Sequence, residues 1–167
     1  MYWEKMLNNG HRVFATAGSD THRIPKTDSL STFYCFKQDA EEIVATARTG
    51  NFTAGPVGIR MNIGDTMMGG LADFSASRLV VSVSDFHSQQ FKQTSKYRLD
   101  VYSDQGLVVS QELEGITDID QVTYFAMDID PAARYYRVEI YDTTMDYIFA
   151  LGNPIWNQAL YTGDYLE

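Results

Sequence analysis

Alternation of apolar and polar residues dominates the second half of the chain. Between residues 78 and 140, four stretches place apolar side chains at every second position. Their apolar positions are Leu79, Val81 and Val83, then Tyr97, Leu99 and Val101, then Phe125, Met127 and Ile129, and finally Tyr136, Val138 and Ile140. A period of two residues is typical of strands that pack one face on a core and turn a polar face to solvent. Val80 alone interrupts the first stretch.

Turn residues separate these predicted strands. The turn signals are Gly64-Asp65, Gly69-Gly70, Asp104-Gln105-Gly106 and Asp130-Pro131. Several short strands at this spacing predict two antiparallel sheets packed face to face. We therefore expect a mainly β fold, an antiparallel β-sandwich of the immunoglobulin-like or jelly-roll-like kind, over residues 56–167.

Helical periodicity is confined to the first part of the chain. Apolar residues recur at helical spacing over residues 2–9, and Gly10 follows as a helix stop. The pattern over residues 39–49 is stronger, because Asp39 can cap the helix and Gly50 ends it. We predict a helix in each place.

Two further strands are predicted between these helices, at residues 12–17 and 31–36. Residues 1–55 therefore form a small α/β segment in the order helix, strand, loop, strand, helix. Such a segment is too short to bury a deep core alone. It either packs on the sandwich or is the end of a larger unit.

The charge balance narrows the classes of partner. The chain has 22 acidic and 13 basic residues, a net charge of −9. This argues against a nucleic-acid interface, which needs a basic face, and against docking on an anionic membrane. No apolar run approaches the ~20 residues of a membrane span. The first ten residues lack the basic and apolar regions of a signal peptide, so a cytoplasmic location is the default expectation and the localisation is otherwise open.

Several short motifs follow one another in a definite order. The stretch WEKMLNNGHRVFATAGSDTH, at residues 3–22, joins a Trp-containing helix, a glycine, an apolar stretch and a Ser-Asp-x-His segment. It is followed by an aromatic stretch at 32–34, a helix from residue 40, RTGNFTAGP at 48–56, GDT at 64–66 and GNPIW at 152–156. This ordered set resembles the C-terminal region of PHP-type (polymerase and histidinol phosphatase) metal-dependent phosphoesterases, and more narrowly the CehA/McbA-like metallohydrolases.

The resemblance implies a specific role for the first part of the chain. Members of this family fold as a distorted β/α barrel, bind two or three divalent metals and hydrolyse phosphate esters. Residues 1–55 would then be the C-terminal remnant of the barrel, and residues 56–167 an accessory domain. Asp20 and His22 would be metal ligands. A carboxylate and an imidazole suit Zn, Mn or Fe, which supply a hydroxide nucleophile for hydrolysis.

The chain departs from the family in its other ligands. It contains three histidines, His11, His22 and His87, and no His-x-His pair. Stable protein zinc sites use three or four protein ligands, whereas Asp20 and His22 supply two. We therefore expect the chain alone to bind no metal stably and to lack phosphoesterase activity. A PHP barrel, present in cis or in trans, would have to complete the site.

Two other functions remain open from the sequence. A stand-alone β-sandwich could bind carbohydrate or protein, and Tyr102, Tyr135 and Tyr141 exposed on one concave face would favour this. A structural or oligomerisation domain is the third possibility.

The barrel hypothesis also predicts self-association. If residues 1–30 normally pack in a barrel, then Trp3, Met6, Leu7 and Phe14 expose apolar surface when the barrel is missing. Such surface drives association. We expect self-association through residues 1–30.

Overall fold

The structure is a computed structural model that describes residues 2–17, 31–35, 37, 39–75, 78–84, 95–113 and 122–163. Within these residues the chain forms two helices and eleven strands. The helices are α1 (Tyr2–Asn8) and α2 (Ala40–Thr49). The strands are β1 (Ser31–Phe33), β2 (Phe52–Ala54), β3 (Gly58–Ile63), β4 (Thr66–Met67), β5 (Leu71–Ala72), β6 (Arg78–Ser84), β7 (Tyr97–Ser103), β8 (Gly106–Leu113), β9 (Val122–Asp128), β10 (Tyr135–Asp142) and β11 (Tyr147–Asn157).

The strands in the described part of the chain form two sheets. The large sheet has the order β1-β2-β11-β10-β7-β8, and β5 pairs with the end of β11. The small sheet has the order β4-β3-β6-β9. Neighbouring strands run antiparallel, apart from the short parallel pair of β5 and β11. The predicted mainly β, antiparallel sandwich is confirmed.

The main core lies between the two sheets. The alternating apolar residues of β6, β7 and β10 are buried there, and β3 contributes its own apolar side chains. Fully burying one such side chain contributes about 1.5–3 kcal/mol. The apolar positions predicted on β6, β7 and β10 therefore face inward as expected, and Phe125, Met127 and Ile129 pack partly buried against the same core. The predicted turns at Gly64-Asp65 and Asp104-Gln105 connect β3 to β4 and β7 to β8.

Both predicted helices are present. Asp39 caps α2 by accepting a hydrogen bond of 2.8 Å from the Glu42 backbone N–H. Gly50 ends α2 with φ +78°, and its N–H bonds to carbonyls of the last turn. Helix α1 ends at Asn8, one residue before the predicted end. Neither helix of the described residues is long and apolar enough to cross a membrane.

The segment that contains α1 and residues 11–17 forms a third layer. It lies on the face of the large sheet that points away from the small sheet. Leu7 is packed there in a second apolar cluster with Tyr135 and Trp156, and Trp3 and Phe14 border it. The expected exposure of these apolar residues is therefore wrong, because Leu7 is buried and Trp3, Met6 and Phe14 are half-buried.

The predicted strand at residues 12–17 is also wrong. This stretch forms no strand. Val13 and Phe14 do pack against the second apolar cluster. The segment, however, lies across the face of the large sheet and not along a free edge. Side chains therefore anchor its backbone where a neighbouring strand would otherwise do so.

The large sheet extends into the first part of the chain. β2 pairs with β11, and β1 pairs with β2, so the predicted strand at 31–36 is present in part. The predicted boundary at residue 55 falls between β2 and β3, which belong to different sheets. The division into a barrel remnant at 1–55 and a sandwich domain at 56–167 stays a prediction.

Candidate functional site

The predicted metal ligands Asp20 and His22 lie outside the described residues, as does His87. Among the residues that are described, no group of three or more His, Cys, Asp or Glu side chains is placed to hold a metal ion. One carboxylate and one imidazole fall short of the three or four ligands of a stable site. The residues that the structure describes thus form no metal centre by themselves, and the candidate site is described through residues 12–17, which lead to Asp20 and His22 in the sequence.

Residues 12–17 lead directly to this segment, and two hydrogen bonds fix their backbone. The indole N–H of Trp3 donates to the carbonyl of Val13 at 3.1 Å. The backbone N–H of Ala15 donates to Oδ1 of Asn153 at 2.8 Å. Asn153 is itself buried in β11, and its Nδ2 donates to the carbonyl of Phe52 at 3.1 Å. One amide side chain therefore ties the segment to both β11 and β2.

Arg12 and Phe14 anchor the same segment through their side chains. Arg12 donates to the carbonyl of Gly69, and its guanidinium lies 5.7 Å from the ring centroid of Trp156. The ring of Phe14 covers Gly50, where a Cβ atom would lie 2.3 Å from the ring. Gly50 therefore meets two demands at once, a left-handed backbone and space for Phe14. This contact gives a physical reason for the glycine of the RTGNF stretch.

The described segment ends beside a small pocket. Thr16 and Ala17 line it together with Gly55, Pro56 and the beginning of β11, and its volume is about 260 Å³. Residues 18–22, which contain Asp20 and His22, follow Ala17 directly in the sequence. The sandwich thus fixes the position of Ala17, the last described residue before the predicted ligand segment.

Replacing Asn153 with alanine tests this anchoring. The change leaves the Ala15 N–H and the Phe52 carbonyl without their partner, and each unsatisfied buried group costs about 1–3 kcal/mol. We expect the free energy of unfolding, measured by urea denaturation, to fall by about 2–4 kcal/mol. Asn62→Ala is the matched control, because the Asn62 amide bonds only to the exposed carbonyl of Gly64. Equal losses in the two variants would contradict the anchoring.

A buried charged group lies where α1 crosses the large sheet. Arg137 is 1% exposed, although it belongs to the face that points away from the main core. Its guanidinium stacks between the rings of Trp3 and Tyr102, at 5.4 Å and 4.3 Å from their centroids. Its Nη2 donates to Glu4 at 2.6 Å, and its Nη1 donates to Glu139. We call Arg137, Glu4, Glu139, Trp3 and Tyr102 the Arg137 cluster.

A second ion pair adjoins the Arg137 cluster on β7. Asp100 lies directly opposite Glu139 and is fully buried. Arg98 donates to both carboxylate oxygens of Asp100 at 2.7 Å, and the Ser110 hydroxyl donates to it as well. Asp100 and Glu139 are therefore each paired with a different arginine. Removing one partner of a buried pair is far more costly than the pair is stabilising.

Three tyrosines lie on this same face of the large sheet. Tyr102 is opposite Arg137 in the strand register, and Tyr135 and Tyr141 are on β10. Tyr135 is buried below α1 and donates to Oδ1 of Asn8 at 2.7 Å. Burial raises the pKa of the Tyr135 phenol and of the Tyr102 phenol, which favours the neutral, donating hydroxyl. The three rings share a face, as one hypothesis required, but they form no exposed row.

The polar residues Arg137, Glu139 and Asp100 were not predicted to be buried. Alternation assigned them to a solvent-facing side of their strands. One feature of the sequence could have indicated this burial. Trp3, Leu7 and Phe14 are apolar and have to pack against some face of the fold, which their segment then shields from solvent.

Comparisons with known proteins add no family to this picture. Neither a scan against protein-family models nor a search of the curated proteins finds a match to this chain.

Proposed function

We propose that this chain is the C-terminal accessory portion of a PHP-like metal-dependent phosphoesterase and is catalytically incomplete on its own. The observation that carries the proposal is that residues 12–17 are held on the sandwich by hydrogen bonds and end one residue before the Ser-Asp-x-His segment. The order of the motifs around that segment, which resembles the family, supports it independently.

The anchors explain what the sandwich contributes. Ligands of a catalytic metal have to be held within about 0.5 Å of their productive positions. Trp3 of α1, Asn153 of β11 and Gly69 between β4 and β5 each hold residues 12–17 from a different direction. In this proposal the sandwich is the support that holds the segment of Asp20 and His22 in place.

The remaining ligands would come from a PHP barrel in cis or in trans. Asp20 and His22 would provide one carboxylate and one imidazole for a Zn, Mn or Fe ion. When bound, such a metal supplies a hydroxide nucleophile and stabilises the developing phosphoryl charge.

Two other functions receive less support from the geometry. A carbohydrate-binding face built on Tyr102, Tyr135 and Tyr141 would need Tyr135 to be accessible, and α1 covers it. An oligomerisation domain that associates through residues 1–30 would need exposed apolar side chains there. Residues 3, 6, 7 and 14 lie against the large sheet or are half-buried, so that prediction loses the basis on which it was made.

The test is metal-dependent hydrolysis of p-nitrophenyl phosphate by the longest natural gene product that contains this chain. With added Mn²⁺ we expect hydrolysis, and we expect Asp20→Ala or His22→Ala to lower kcat/KM at least about a hundredfold. His11→Ala is the matched control, because His11 lies on the exposed surface after α1. The 167-residue chain alone should release no phosphate above the metal blank.

Hydrolysis by the chain alone would contradict its catalytic incompleteness. Equal activity of His22→Ala and His11→Ala would contradict the assignment of the ligand.

A further inference from the structure

Strand β9 is a sheet edge that lacks the features which usually protect such edges. In the described part of the chain it pairs with β6 on one side and with no strand on the other. Its seven residues keep one continuous register with β6 and include no Lys, no Pro and no inward-facing charge. Edges that natural proteins protect are short, bulged or charged.

The other edges of the two sheets do carry such features, within the described residues. β1, at one edge of the large sheet, has three residues, and β4, at the other edge of the small sheet, has two. β8 is longer, but its pairing with β7 shifts in register between Val101 and Tyr102. The contrast distinguishes β9 as the edge that is open to a further strand.

The apolar side chains on the inner face of β9 are left partly exposed. Phe125 and Met127 pack on the main core but are only half-buried. Val81 and Leu79, which lie directly opposite them on β6, have an exposure of 0%. A strand added along β9 would therefore cover the exposed part of Phe125 and Met127.

The outer face of β9 indicates which side chains such a strand would carry. Tyr124 is 72% exposed on this face, and the exposed Asp128 forms an ion pair with Arg78 of β6. An exposed aromatic ring and a carboxylate both attract a cation. Basic side chains therefore suit this face.

The sequence around β9 has the same preference. Residues 99–133, which contain β8 and β9, include eight acidic residues and no Lys or Arg. Arginines pair with three of them, Asp100, Asp104 and Asp128, and five further acidic residues flank β9 in the sequence. A cationic partner thus matches the charge of this stretch.

We propose that the free edge of β9 binds, by strand addition, an extended peptide segment in which apolar and basic residues alternate. Its main chain would pair with the free edge, as in other complexes formed by strand addition. Its apolar side chains would pack on Phe125 and Met127, and its basic side chains would lie beside Tyr124 and Asp128. Alternation is required because successive side chains of a strand point to opposite faces. This surface is independent of the proposed phosphoesterase function.

The test adds the acetylated and amidated heptapeptide Lys-Val-Lys-Val-Lys-Val-Lys to the 167-residue chain and follows ¹H–¹⁵N spectra. We expect the amide signals of β9 to shift saturably and those of β4, at the other edge of the small sheet, to stay in place. The matched peptide with Glu in place of each Lys should bind at least about tenfold more weakly, because like charges meet.

Methylation of the peptide backbone tests strand addition itself. Alternate residues of a strand direct their N–H groups to opposite edges, so a peptide that pairs along one edge uses the N–H groups of either its Lys or its Val residues. We expect N-methylation of one set to weaken binding at least about tenfold, and N-methylation of the other set to change it less than about threefold.

Two variants of the protein locate the binding edge. Tyr124→Lys should weaken the Lys peptide at least about fivefold, because a like charge replaces the aromatic ring. Met67→Lys is the matched control, since Met67 is 48% exposed on β4, and it should change binding less than about twofold. Both positions are exposed, so the fold should tolerate both changes.

Absence of a saturable shift in β9, equal binding of the two N-methylated peptides, or equal effects of Tyr124→Lys and Met67→Lys would each overturn the proposal. Broadening of the β9 signals that grows with protein concentration in the absence of peptide would overturn it as well, because a second copy of the chain would then occupy the edge.

Discussion

Replacing Arg137 with alanine is expected to lower the free energy of unfolding by about 3–5 kcal/mol, the usual cost of breaking a buried ion pair. The change leaves Glu139, which is 4% exposed, as an uncompensated buried charge. It also removes the ion pair that holds Glu4 and the stacking partner of Trp3 and Tyr102. Helix α1 should therefore loosen from the large sheet together with the loss in stability.

Urea denaturation measures this effect, and two further variants sharpen it. Arg78→Ala is the matched control, because the Arg78–Asp128 pair is exposed and such pairs contribute about 0–1 kcal/mol. Arg137→Lys should recover little, since an ammonium cannot bridge two carboxylates and stack between two rings. The double variant Arg137→Met with Glu139→Gln should recover part of the loss, because no bare charge remains buried. A loss in Arg137→Ala no greater than in Arg78→Ala would show that the cluster does not hold α1.

Truncating Trp156 to alanine is expected to cost about 3–5 kcal/mol as well, for a different reason. Trp156 is the centre of the second apolar cluster, where Leu7 and Tyr135 pack with it and Phe14 meets its ring edge-on at 6.0 Å. Its removal leaves a cavity between the third layer and the large sheet. Both α1 and residues 12–17 border that cavity, so neither can collapse into it without leaving its own anchors.

Thermal and urea denaturation measure this second loss. Tyr124→Ala is the control, because the Tyr124 ring is 72% exposed on the small sheet and its truncation creates no cavity. If Trp156→Ala proved as mild as Tyr124→Ala, residues 2–17 would not be packed on this face.

The sequence predicted those parts of the fold in which one local rule determines the outcome. Leu79, Val81 and Val138 alternate with polar neighbours because one face of each strand is buried, and the structure places them in the main core. Helix α2 was predicted from its ends, and Asp39 and Gly50 occupy those ends with the expected geometry.

The third layer was not predictable by the same rules. A period of two residues separates the two faces of a strand, but it cannot tell whether the polar face meets water or a further layer of chain. Arg137, Glu139 and Asp100 therefore counted as surface residues, although α1 and the ion pairs bury them. The apolar stretch at residues 12–15 had the composition of a strand, but its neighbours, Asn153 and Gly69, are more than 50 residues away.

For the candidate site, the sequence predicted only which chemical types of metal ligand it offers. The Ser-Asp-x-His segment names a carboxylate and an imidazole, but a multinuclear metal site depends on ligands that are distant in sequence. The hydrogen bonds that hold residues 12–17 could not be predicted from the sequence, because their partners lie in α1, in β11 and in the turn before β5.

The central claim is that residues 2–17 are a fixed layer of the sandwich, and amide hydrogen exchange of Ala15 tests it most directly. Its N–H is bonded to a buried side chain, so we expect it to exchange at least about a thousandfold more slowly than in an unfolded chain, as amides of packed elements do. The Val138 amide in β10 serves as the internal reference for the core. Exchange of Ala15 at close to the unfolded rate, with Val138 still protected, would contradict the claim.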